Sequence, residues 1–103
     1  MILKDLDGRL IRLTEERLHH ILDHPEMVGM IPAIRETLLD PLVVVQSKSD
    51  ATAHLFYKYY FGTKVGDKYL CVVVKYEVKN RFVLTAYLTD QIKKGKIIWQ
   101  KKM

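Results

Sequence analysis

The chain has 103 residues, 49% of them apolar and 28% charged, with 17 lysines and arginines against 12 acidic residues and a net charge of +5. That balance excludes an intrinsically disordered chain and predicts one domain over residues 1–103 with a single modest core, while the excess of positive charge suits a polyanionic partner such as nucleic acid or an acidic protein. A single cysteine, Cys71, excludes an internal disulfide framework, and no apolar run approaches the roughly 20 residues that span a bilayer, so a cytoplasmic protein without a membrane partner is expected.

Residues Ile2 to Leu6 and Arg9 to Leu13 flank Asp7-Gly8, a strong short hairpin signal, and predict a small N-terminal hairpin. The stretch Leu13 to Glu26 then reads as a helix. Thr14 is a good N-cap, Glu15 and Glu16 suit the positive end of the helix dipole, and Pro25 ends the helix at His24. At about 100° per residue, Arg17, His20 and His24 share a sector of roughly 60°. Leu18, Ile21 and Leu22 occupy the adjoining, buriable face. Histidine exchanges protons most easily near neutral pH, so this row is a candidate acid/base surface; a solvated polar helix face is the competing reading.

A second helix is predicted from about Pro32 to Asp40-Pro41, with Ile31, Ile34, Leu38 and Leu39 at helical spacing and Met27 and Met30 as core filling. Beyond it the period changes to two. Leu42–Ser47, Ala53–Phe61, Tyr69–Glu77 and Arg81–Leu88 read as strands. Thr89–Lys94 fits one helical turn, and Lys96–Trp99 a last strand. The fold class expected is α+β, with one or two N-terminal helices packed on a twisted, four- to five-stranded antiparallel sheet and a small N-terminal hairpin.

Alternation groups Arg81, Val83, Thr85 and Tyr87 on one side of their strand, opposite Phe82, Leu84, Ala86 and Leu88. A mixed face of Lys58, Lys75, Arg81, Thr85 and Tyr87 would suit a phosphodiester with an unstacked base. Cys71 lies among β-branched residues and reads as core. His20 and His24 have the i, i+4 spacing of helical zinc ligands, but no His-Glu-x-x-His pattern accompanies them, and a third ligand would have to come from His54 or Asp23. No metal and no cofactor is expected, and there is no P-loop, dinucleotide fingerprint or nucleophile elbow.

Arg17-Leu18-His19-His20-Ile21, His24-Pro25-Glu26, Glu36-Thr37 to Pro41 and Thr85-Ala86-Tyr87 occur in this order. As a set, from about Leu13 to Trp99, they resemble the phage-associated nuclease-like families of the barnase, EndoU, colicin and RelE (BECR) superfamily. Leu18 departs from the pattern, where many relatives carry an aromatic residue. The resemblance implies metal-independent, toxin-like RNA cleavage, in which a base takes the ribose 2′-OH proton and an acid protonates the leaving 5′-oxygen. It implies His20 and His24 as acid/base groups, Arg17 as phosphate partner, Thr85 and Tyr87 beside the scissile bond, and Lys75 as a further charge stabiliser. RNA and an acidic antitoxin or immunity protein are the partners implied. The alternative is a non-catalytic nucleic-acid-binding or protein-interaction module on the same fold.

Overall fold

The structure, a computed structural model, describes residues 1–102. In chain order the elements are β1 (Ile2–Lys4), β2 (Leu10–Arg12), α1 (Glu15–Leu22), a 3₁₀ turn (Pro25–Met27), α2 (Ile31–Leu39), β3 (Val43–Gln46), β4 (Ala53–Thr63), β5 (Gly66–Glu77), β6 (Asn80–Thr89) and β7 (Lys96–Gln100).

The N-terminal hairpin forms around Asp5. Its carboxylate accepts the backbone N–H groups of Asp7 and Arg9, both at 2.9 Å, and Gly8 supplies the positive φ of 81° that the turn requires. Helix α1 is capped by Thr14, whose side chain accepts the Arg17 N–H at 3.2 Å. Helix α2 carries Pro32 in its first turn and ends at Leu39, ahead of Asp40-Pro41. Both helices are short, and packing holds them: Ile21 of α1 and Ile34 and Leu38 of α2 are buried in the main core. The Tyr60 hydroxyl ties α2 to β4, lying 2.7 Å from Glu36 Oε1 and 3.1 Å from the Ala33 carbonyl.

The sheet corrects the expected fold class. The described residues form one seven-stranded mixed sheet of order β1-β2-β6-β5-β4-β3-β7, in place of four or five antiparallel strands beneath N-terminal helices. Strands β3 to β6 are an antiparallel meander. The N-terminal hairpin joins it because β2 pairs in parallel with β6, at Arg12 opposite Phe82. Arg12 Nη2 bonds Asn80 Oδ1 at 2.5 Å and Arg81 Nε bonds the Leu10 carbonyl at 3.2 Å, fastening the same junction. At the other edge β7 pairs with β3 rather than with its sequence neighbour β6. The helical turn expected over Thr89–Lys94 is also corrected. After Thr89 the chain runs through bends, because it must cross the sheet from β6 to β3.

The sheet curls into a half-barrel, so that its two edges approach one another: Leu6 and Arg9 from the β1–β2 turn and Ile98 and Trp99 from β7 line one groove. Helices α1 and α2 fill the inner side, over Leu3, Ile11, Val44, Phe56, Leu70, Val72, Val74 and Val83. The outer side has its own apolar cluster of Val43, Val45, Ala53, Leu55, Tyr57, Cys71 and Val73, which no helix covers.

Candidate functional site

A bulge in β6 decides which residues reach the outer face. Val73 pairs with Thr85 but Val74 pairs with Val83, so Leu84 is the extra residue. Strict alternation would put Val83 with Thr85 and Tyr87 and Leu84 opposite them. With the bulge, Val83 turns inward to the main core while Leu84, Thr85 and Tyr87 all serve the outer side.

On that side lies a pocket of about 310 Å³. Its floor is apolar, from Val45, Ala53, Leu55, Val73 and Leu84, and its rim carries Ser47, Lys48, Ser49, Lys93 and Lys94. Thr85, across the strand pair from Val73, and Lys75, across from Ala53, share this face. Lys75 pairs with Asp50, which also accepts the Thr52 N–H and hydroxyl at 3.0 and 2.6 Å. These contacts, led by Lys75, hold the Asp50 carboxyl down to about 2. Among the described residues, Lys48, Lys93 and Lys94 enter no ion pair.

The crossing segment positions two of these lysines. The Lys93 backbone N–H donates to the Tyr57 hydroxyl at 3.0 Å, and Lys93 Nζ lies 5.6 Å from the centre of the Tyr87 ring. Gly95 lets the segment press on β3, since a Cβ there would lie 2.5 Å from the Gln46 carbonyl oxygen and 2.6 Å from Val45 Cγ1. Beneath Lys93, Tyr57, Cys71 and Tyr87 form a cross-strand row. Burial pushes the Tyr57 hydroxyl up to about 12 and raises Tyr87 and Cys71 as well. The Tyr87 hydroxyl is buried and finds no hydrogen-bond partner of good geometry among the described residues, although Tyr57 and Cys71 flank it. Burial thus keeps these three groups protonated near neutral pH.

The residues singled out from sequence divide between the two sides of the sheet. Thr85, Tyr87 and Lys75 share the outer face. Arg17 stands at the β2–β6 junction, where it lines a surface pocket with Arg12, Asn80 and Phe82, while His20 lies on α1 and His24 just beyond it; His20 is exposed, and His24 Nδ1 stands 3.6 Å from Glu26 Oε1. Among the described residues no histidine lines the outer pocket that adjoins Thr85 and Lys75. Lys58 and Arg81 also leave the expected mixed face. Lys58, paired across the sheet with Leu70, bonds the Asp40 carbonyl at 2.9 Å and its carboxylate at 3.1 Å, while Arg81 serves the β2 junction. No three of His, Cys, Asp and Glu among the described residues group as metal ligands, so His20 and His24 gain no third ligand from His54 or Asp23.

Sequence reasoning missed Ser47, Lys48, Ser49, Lys93 and Lys94. The signal available was the pairing of two short stretches, Ser47-Lys48-Ser49 and Lys93-Lys94-Gly95, each of which alone reads as a polar turn.

The inner groove between the sheet edges, about 260 Å³, holds a second polar group. The buried Asp5 carboxylate accepts the Tyr76 hydroxyl at 2.8 Å, His54 stacks on Tyr76 with ring centres 4.5 Å apart, and the Arg9 guanidinium lies 5.8 Å from the centre of the same ring. Burial, then the Arg9 charge, lowers the His54 proton affinity. Asp5 is satisfied there by two backbone donors and one phenol, which makes the group the clamp that joins the hairpin turn to β5.

Comparison with family models, curated proteins and solved structures finds no match for the chain.

Proposed function

We propose that the outer face holds an RNA phosphodiester and promotes metal-independent cleavage by the substrate's own 2′-OH. One observation carries this reading: Lys48, Lys93 and Lys94, which enter no ion pair among the described residues, gather with Ser47 and Ser49 beside Thr85 on the sheet face that the helices leave open. Ammonium groups bind non-bridging phosphate oxygens and stabilise the charge that grows as the O2′–P bond forms. The P–O5′ bond breaks, the leaving 5′-oxygen takes a proton from a lysine ammonium, and the 2′ proton passes to water. The products are a 2′,3′-cyclic phosphate and a 5′-hydroxyl. The resemblance to the BECR nuclease families supports the same reading through Thr85, and an acidic protein inhibitor seated on the lysines is the partner it expects.

A second reading, RNA binding without cleavage, is favoured by the absence of an imidazole from the pocket. Incubating RNA in EDTA with wild type, the Lys93→Ala/Lys94→Ala variant and the His20→Ala/His24→Ala variant separates the two. The proposal expects cyclic-phosphate ends from wild type, a rate about tenfold or more lower without the two lysines, and little change without the two histidines. Loss of cleavage in the histidine variant alone would move the chemistry to α1. No cleavage by any protein, with salt-sensitive RNA binding intact, would establish the binding module.

A further inference from the structure

We propose that Tyr59, Phe61 and Tyr69 form a stacking platform for an unpaired base, so that the substrate of the outer face is single-stranded RNA lying along β4. The inference rests on the RNA reading above and extends it from a phosphate site to a strand track.

The three aromatics stand on the outer face near the tip of the β4–β5 hairpin. Tyr59 pairs across the sheet with Tyr69, in the same row pattern as Tyr57 with Cys71. Phe61 lies two residues on, with ring centres 5.2 Å from Tyr59 and near-perpendicular planes; Tyr59 and Tyr69 are 4.8 Å apart. This cluster is not core. Phe61 is 80% exposed and Tyr59 39% exposed. A buried aromatic cluster stabilises a fold, whereas an open one leaves ring faces in water for a partner to cover.

Its position supplies the occupant. Ala53, Leu55, Tyr57, Tyr59 and Phe61 follow one another on the outer side of β4, so the platform continues the pocket floor. At 3.4 Å per residue, Phe61 is about 20 Å along the strand from Leu55. An extended polyanion whose phosphates sit at Lys48, Lys93 and Lys94 would carry a base over the exposed rings. Nucleobases stack on aromatics whatever their sequence, but only when unpaired, because a base inside a duplex has both faces occupied.

The test is the anisotropy of a fluorescein-labelled oligouridylate, and of a duplex RNA of equal length, titrated with wild type, Phe61→Ala, Phe61→Trp and Lys93→Ala/Lys94→Ala. Phe61→Ala should bind the single strand roughly five- to hundredfold more weakly with an unchanged salt dependence, and bind the duplex as wild type does. Phe61→Trp should restore binding, and its indole emission should be quenched by the RNA. The double lysine variant should instead lower the slope of affinity against salt for both RNAs. Equal single-strand affinity of Phe61→Ala and wild type would overturn the platform and leave the RNA reading standing. No binding of either RNA by wild type would remove both. A wild-type dimer that Phe61→Ala converts to monomer in light scattering would show the rings to be a self-association surface and overturn the proposal.

Discussion

Asp50 and His54 show how a single residue's surroundings set its charge. Asp50 has its carboxyl lowered from 3.8 to about 2, first by Lys75 and then by Thr52. A depressed carboxyl contributes stability that is present above its unfolded value and lost as pH falls through the folded one. Asp50→Asn should therefore flatten the fall of the thermal midpoint between about pH 4 and pH 2. A parallel fall in both proteins would deny the Lys75 pairing. His54 is the opposite case. Burial lowers its proton affinity, so the unfolded chain binds the proton more readily and stability is lost as pH drops below 6.5. An imidazole titration followed by NMR should place His54 below that value, and a midpoint at or above it would mean that the groove is wetter than the stacking on Tyr76 implies.

At the scale of elements, the bends between β6 and β7 matter more than their lack of regular structure suggests. Gly95→Ala brings a methyl group against the Gln46 carbonyl and the Val45 side chain, so the segment must lift. A loss of about 1–3 kcal/mol in denaturant unfolding is expected, together with weaker RNA binding as Lys93 and Lys94 move away. Unchanged stability would mean that the segment has an alternative seat. Helix α2 is held by its inward face, and Leu38→Ala should cost about 2–5 kcal/mol while leaving the outer face's salt dependence of binding intact. Much of the element level is legible in the chain. Thr14, Pro32 and Pro41 bound the helices by chemistry local to a few residues, and Asp7-Gly8 makes its turn in the same way, whereas α1 ends at Leu22 rather than at the expected His24, because the chain turns into the 3₁₀ turn at Pro25–Met27. The bulge at Leu84 is not legible, because an extra residue in a strand is defined only by the partner it fails to match.

Across the whole molecule, Tyr57, Tyr60, Tyr76 and Tyr87 hold their protons above the ordinary tyrosine range, chiefly through burial, with Tyr57 at about 12. They sit on both sides of the sheet. A raised folded value contributes stability that is complete below the unfolded value of 10 and lost as pH rises through the folded one. Alkaline unfolding should therefore begin above pH 10, with phenolate absorbance and loss of sheet signal rising together. Phenolate appearing well before unfolding would show these hydroxyls to be open to solvent. Among the described residues, no helix is long and apolar enough to cross a membrane.

What the sequence determined by itself is local: the N-cap of α1, the bounds of α2, the Asp7-Gly8 turn, the central run of strands, the basic balance of the chain, and Cys71 as a core residue. The tertiary structure alone decided the rest. Three-residue strands such as Ile2–Lys4 and Leu10–Arg12 are too short to carry a pattern of their own, and they become part of a seven-stranded sheet only through partners far along the chain. The same holds for the site. Helical spacing would align Arg17, His20 and His24, but α1 ends at Leu22 and His24 lies beyond it in extended backbone, so the expected row is not continued to His24. Lys48, Lys93 and Lys94, unremarkable in their own turns, meet because β7 returns to β3. Neighbours within a helical turn or a β-turn are fixed by bond geometry, whereas neighbours across a sheet are chosen by which apolar surfaces can be buried together, a choice that belongs to the whole chain.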